Sequence, residues 1–299
     1  MQNPKFRLAS LAVACAALGF ATPASAQNAR SWVSSTGLDS NSCLRAAPCA
    51  TFGGAIAKTA ISGQISCADP GDYGTPTITQ SVLIDCAEGF GNVSGIAVNI
   101  PTGNPNDPTR AVSLRGLIVQ SATPAAFGIE IIAANTVNID RVRVSGFARG
   151  LLDHRSDSGG GLFVSNSTVE NASVGIGIAT AGSMQVLLDN VQSTGSSYGL
   201  AVGARTNVAV RRSAFSGNTI GVEGDGNAQI AIEGSAISNN NIGIQSNFSV
   251  RLSNSDVAFN TTGVSGTVAT FGNNRFSGNL NDGTPLVAVG TASSDLGER

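Results

Sequence analysis

Ile230-Ala-Ile-Glu-Gly-Ser-Ala-Ile-Ser-Asn-Asn-Asn-Ile-Gly-Ile244 is the stretch from which the fold of this chain can be read. It opens aliphatic-x-aliphatic, passes through Ser and Asn, and closes on a glycine followed by an aliphatic. The opening recurs at Val82-Leu-Ile-Asp, Val112-Ser-Leu-Arg, Val137-Asn-Ile-Asp, Leu162-Phe-Val-Ser, Val186-Leu-Leu-Asp, Val208-Ala-Val-Arg and Val250-Arg-Leu-Ser, with an eroded copy at Ala269-Thr-Phe-Gly. By subtraction, the starts from Val82 to Val250 lie 30, 25, 25, 24, 22, 22 and 20 residues apart. The closing glycine nevertheless keeps its place. Gly95, Gly150, Gly175, Gly199, Gly221, Gly243 and Gly263 each fall 13 residues after their start, and only Gly128, at 16, departs.

A constant internal spacing within a drifting period is the mark of a solenoid whose strands keep register while one edge accepts insertions. Alternating aliphatics such as Val137/Ile139, Leu162/Val164 and Val186/Leu188 make short strands with one buried face. One coil cannot bury its inner row, whereas stacked coils bury a continuous core at roughly 1.5–3 kcal/mol per fully buried side chain. Equivalent strands return to the same edge and must be parallel, and parallel crossovers are right-handed in about 98% of cases. The expected fold class is therefore all-β, a right-handed parallel β-helix of about ten coils and roughly 45 Å.

The register also predicts side-chain ladders. Asn166, Asn190 and Asn254 share the fifth position of their coils, and Asn218, Asn240 and Asn260 the eleventh. Asn tolerates left-handed turns and can bond its amide to the next coil. The fourth position reads Asp85, Arg115, Asp140, Ser165, Asp189, Arg211, Glu233, Ser253, an alternation of charge that helps to fix register.

Outside the repeat, Lys5 and Arg7, the apolar run from Leu8 to Phe20 and Ala24-Ser25-Ala26 form a secretory leader with cleavage expected after Ala26. The run is too short to span a bilayer, which takes about 20 apolar residues. Four cysteines then remain, and an even count in an exported chain predicts disulfides. Cys43–Cys49 and Cys67–Cys86 are the favoured pairs among three possible sets. Thr51 and the apolar spacing through Lys58 predict a short helix capping the N-terminal end. The expected organisation is leader 1–26, cap 27–64, β-helix 65–290 and flexible tail 291–299. Pro285 to Val289 is read as a last strand or lid. A net charge of −2 with no basic patch argues against nucleic acid as a partner.

The strand, Asn-turn and Gly-Ile elements resemble the right-handed parallel β-helix family, the pectin lyase-like superfamily, over about Ile65 to Asn279. Pro48-Cys49-Ala-Thr-Phe52, with Ile65-Ser-Cys67-Ala-Asp69-Pro70-Gly71-Asp-Tyr73-Gly74, looks like the opening of the first coil in exported bacterial members. Many such members have no assigned activity; others act on polysaccharides. The resemblance therefore implies a polysaccharide or cell-surface glycan as partner. It also implies that a catalytic member would cluster acids on one exterior strand face. The matching row here reads Glu130, Leu152, Gly177, Ala201, Glu223, Gln245, Ser265, with no two carboxylates in neighbouring coils.

The remaining catalytic candidate is Leu152-Asp153-His154-Arg155-Ser156-Asp157, which holds the only histidine. In an active version His154 accepts a proton, Arg155 holds a uronate carboxylate and Glu130 of the preceding coil assists. Asp153 stands where an inward aliphatic is expected, a local inconsistency of the kind that can mark function. The plainer reading is a solvated polar loop with Asp153 bonding turn amides. Asp69, Asp72 and Asp85 form a weak calcium candidate, for which the Asp-Pro-Gly turn is the simpler account. No other metal or cofactor is expected. Phe163 and Leu187 fall outward on adjacent strands and suggest an apolar ligand contact, or partial cover by a loop.

Three functions compete. The first is a non-catalytic exported β-helix presenting a lateral face to a glycan or cell-surface partner. The second is a polysaccharide lyase or epimerase using Asp153, His154 and Arg155. The third is self-association through Phe163 and Leu187.

Overall fold

The computed structural model describes residues 27–87, 90–156, 159–203, 206–225 and 228–289. The expected leader, the expected tail at 291–299 and Asp157 lie outside the described residues.

Each coil supplies three strands. In one coil these are Asn207–Arg211, Ala214–Ser216 and Ile220–Gly224. The next coil pairs all three in parallel, so that equivalent strands build three sheets around one axis. On the first sheet Val137, Leu162, Val186, Val208, Ile230 and Val250 lie one over another, with Ile139, Val164, Leu188, Val210, Ile232 and Leu252 beside them. Every one of these side chains is buried. Burial of branched aliphatics along the axis is the main stabilising term.

The turn chemistry explains the repeat. Asn166, Asn190 and Asn254 take φ of +49°, +55° and +47° at the corner after the first sheet, and Asn190 Nδ2 donates to Asn166 Oδ1 at 2.9 Å. At the next corner the amides run inside the molecule. The backbone N–H groups of Asn218, Asn240 and Asn260 each donate, at 2.9 Å, to the Oδ1 of Asn240, Asn260 and Asn279 in the following coil. The same side chains donate back to Ser193, Phe215 and Ile237 carbonyls at 3.0–3.1 Å. A serine ladder absent from the sequence reading runs parallel to it: Ser213 N donates to Ser235 Oγ at 3.1 Å and Ser235 N to Ser255 Oγ at 3.2 Å.

The marker glycine is required by space. A Cβ at Gly199, Gly221 or Gly243 would lie 2.5–2.6 Å from the carbonyl oxygen of the marker glycine one coil on. The outlier at Gly128 has a local cause. Ser145 pairs with Gln120 but Phe147 pairs with Ala125, so three extra residues bulge from that coil before its third strand resumes register.

At the N-terminal end, helix Phe52–Ile56 is capped by Thr51, whose Oγ1 accepts from Gly54 N at 3.0 Å. Strand Asn28–Val33 pairs in parallel with Thr59–Cys67. Cys43 is bonded to Cys49, and Cys67 to Cys86 of the following coil. At the other end Val287–Ala288 forms a two-residue strand on Thr262–Thr270 instead of a lid, leaving Phe271, Leu280 and Val287 exposed.

Candidate functional site

Asp153 ends the strand Arg143–Asp153, which runs from the second sheet at Arg143 into the third, where Asp153 is in register with Ile131 and Ile178. That register points its carboxylate at the core. A buried charge needs a partner, and Arg155 supplies it: both side chains are 0% exposed. Arg155 Nε donates to Asp153 Oδ1 at 2.9 Å and Nη2 to Oδ2 at 2.5 Å. Its Nη1 donates to the Ala134 and Asn135 carbonyls at 3.0 and 3.1 Å, and Nη2 to Gly161 O at 3.4 Å.

Arg155 is sealed inside and cannot meet a uronate, which corrects the catalytic reading. Asp153 does accept a turn amide, Arg155 N at 3.3 Å, as the plainer reading has it, but it does so buried and not in solvent. Between the buried Asp153 and Arg155, His154 turns outward, where its Nε2 lies 3.1 Å from Glu130 Oε1 of the preceding coil. The structure thus joins His154 to Glu130 and separates both from Arg155.

The exterior third-sheet row is in register from Glu130 through Leu152, Gly177 and Ala201 to Glu223. Glu130 and Glu223 are four coil steps apart, or about 19 Å at ~4.8 Å per step. Two-carboxylate glycoside hydrolysis needs roughly 5–9.5 Å. Burial, with Asp225 nearby, raises the Glu223 carboxyl above its ordinary value.

Asp69, Asp72 and Asp85 do not assemble into a cation site. Asp69 is occupied by Ser34 Oγ at 2.5 Å and Ser35 N at 2.7 Å, and Asp72 accepts from Gly74 N at 3.0 Å. Asp85 faces outward on the first sheet beside Arg115. Among the described residues no group of three His, Cys, Asp or Glu is placed to hold a metal ion.

The first sheet carries an open groove of about 460 Å³ on its outer side. Its floor is one row in register, Phe163, Leu187, Ala209 and Ala231, continued by Arg251. Phe163 is 39% exposed and begins the row. One wall is a second row, Gln185, Asn207 and Gln229, which occupy neighbouring coils. Among the described residues these three side-chain amides bond to nothing, whereas the interior Asn ladder is fully paired.

Arg211 lies on the opposite side, 3.6 Å from Glu233. Arg251 has no ion pair or hydrogen bond from its side chain among the described residues. The sequence reading found Phe163 and Leu187 but missed the amide row and Arg251. The signal was present: the amides occupy the position before three successive aliphatic openings, at Val186, Val208 and Ile230, and Arg251 fills the x of the last intact one.

Coils of three parallel strands, an internal Asn ladder and an open lateral groove define a right-handed parallel β-helix of the pectin lyase-like kind. Within that class the chain belongs to the family described as periplasmic copper-binding protein (NosD), whose model matches residues 112–289. Two solved structures share the fold. The Azotobacter vinelandii mannuronan C-5 epimerase AlgE6 A-module is 18% identical, with a TM-score of 0.55 over 76% of this chain and 67% of that one. Pectate lyase Pel9A is 14% identical, with a TM-score of 0.54 over 89% and 79%. No curated protein matches the chain. Among the described residues no helix is long and apolar enough to cross a membrane.

The family description names copper, and the donor set here does not fit it. Copper sites draw on thiolate, thioether and imidazole. This chain has one His, two Met and five Cys. Four of the cysteines are in disulfides. Met184 is 1% exposed within the coil. Cys15 and Met1 fall in the expected leader. His154 is left as a single imidazole with one carboxylate neighbour.

Proposed function

We propose that this chain is an exported, non-catalytic β-helix that binds an extended glycan along the groove of its first sheet. The observation that carries the reading is the amide row Gln185, Asn207 and Gln229, whose side chains bond to nothing among the described residues, beside the apolar row from Phe163 to Ala231. Sugars present hydroxyls to amides and apolar ring faces to aromatic or aliphatic side chains. A groove built on strands about 4.8 Å apart offers that pairing repeatedly along one direction. The groove is open to solvent along its length, which suits a polymer lying across coils better than an enclosed small ligand. The two structural neighbours, a mannuronan epimerase and a pectate lyase by name, support a polysaccharide as the polymer class. The basic region, apolar run and Ala24-Ser25-Ala26 support export, in keeping with a family described as periplasmic.

The test is retention of the purified mature protein on a glycan array, comparing wild type with Phe163→Ser and with Gln185→Ala/Gln229→Ala. Retention that falls about fivefold to thirtyfold in both variants is expected, since each removes roughly 1–2 kcal/mol of contact. Retention unchanged in both would reject the groove as the site.

A further inference from the structure

The groove has unlike ends, and we propose that it selects an acidic glycan, with Arg251 as the anchor for the anionic group. The inference rests on the glycan reading above and names the charge of the polymer. The row that forms the floor begins at Phe163 and ends at Arg251, four coil steps apart. That is about 19 Å along the axis. At the Phe163 end the surface is a half-exposed aromatic ring with a neighbouring aliphatic, Leu187. In the middle, Ala209 and Ala231 keep the floor low enough for a chain to lie against the sheet. At the far end stands a guanidinium.

The charges around it are accounted for one by one. Among the described residues Arg211 and Arg251 line the groove, and no carboxylate does. Asp189, in the bordering row, is bonded to Arg212. Glu233, in the same row, lies beside Arg211. Arg251 is left with a full charge and no partner among the described residues. A planar guanidinium presents paired donors that match a carboxylate or a sulfate. An anionic group on the bound chain would therefore gain a charge-assisted contact that a neutral chain lacks. Both sources of negative charge share this chemistry, so the experiment separates them.

Affinities are measured by calorimetry for three oligosaccharides of equal length: a neutral one, its carboxylated counterpart and its sulfated counterpart. Four proteins are compared: wild type, Arg251→Gln, Arg251→Lys and, as a charge control on the second sheet, Arg143→Gln. Wild type is expected to prefer at least one acidic chain over the neutral one by about tenfold to a hundredfold. Arg251→Gln should erase that preference while keeping affinity for the neutral chain. Arg251→Lys should restore part of it, and Arg143→Gln should leave it intact. Equal affinity for acidic and neutral chains in wild type, or a preference that survives Arg251→Gln, would overturn the selection by Arg251 and leave the glycan reading standing. No affinity for any of the three would overturn both. Which acidic chain binds more tightly identifies the anion as carboxylate or sulfate.

Discussion

Asp153 places a charge where the aliphatic row of the third sheet requires a hydrocarbon, and Arg155 resolves the conflict from two residues along. Removing one partner leaves the other buried and unpaired, so Arg155→Met is expected to cost about 3–5 kcal/mol in chemical denaturation. The double change Asp153→Leu/Arg155→Met should recover most of that loss, because an apolar pair of similar volume suits the core. If the single change costs no more than the double, the pair is not acting as a buried ion pair.

The sequence exposed half of this. Asp153 broke the inward pattern visibly, and period two places residues 153 and 155 on the same side of an extended chain. A polar tripeptide at an insertion edge reads as a loop, however, because solvation there is the usual outcome. Only the coordinates show the edge closing over Arg155. The outward residues were harder still: nothing in Gln185 or Arg251 taken alone separates a ligand contact from ordinary surface.

At the scale of the element, the repeat was legible because two of its constraints are geometric. The inner aliphatics must alternate, and the marker glycine must lack a side chain so that successive backbones can meet. Gly221→Ala would set a methyl 2.6 Å from Gly243 O and is expected to lower the melting temperature sharply. The Asn ladder is the other constraint. Asn240→Ala removes the acceptor of Asn218 N and the donor to Phe215 O, leaving buried backbone groups unmet. We expect a loss of about 1–3 kcal/mol in urea unfolding, against nearly none for the exposed Asn241→Ala, whose backbone is not left-handed. Equal effects at the two positions would contradict the interior role of the ladder. The serine ladder escaped notice because Ser is common in turns and its hydroxyl leaves no spacing signature of its own. The bulge in the coil from Val112 was visible as a broken count, but its position between the second and third strands was not.

For the whole molecule, stability depends on both ends and on a few carboxylates. Asp69 is held below its ordinary value chiefly by the Ser34 hydroxyl and the Ser35 backbone amide. Burial works to raise Asp107, but hydrogen bonds from the Ser81 side chain and backbone and from Arg110 N hold it below. A carboxyl depressed in the folded state stabilises above its unfolded value and loses that contribution as pH falls through the folded value. Stability should therefore be level near neutrality and decline below about pH 4. Asp107→Asn should flatten the decline, as followed by urea midpoints across pH. A decline starting well above that range would assign acid lability elsewhere.

Reduction of Cys67–Cys86, which closes a loop of sequence separation 19, should cost roughly 3 kcal/mol. The fold was readable at this scale from the repeat. Function was not, because a solenoid offers many outward rows, and only the stacking of free amides, apolar floor and Arg251 on one sheet distinguishes this one.

The most direct measurement follows the side-chain amide resonances of Gln185, Asn207 and Gln229 by NMR during titration with an acidic oligosaccharide. The account predicts that these three shift together and saturate at one affinity, while the buried amides of Asn218 and Asn240 stay in place. Movement confined to the third sheet around Glu130 and His154, with the three groove amides unmoved, would contradict it.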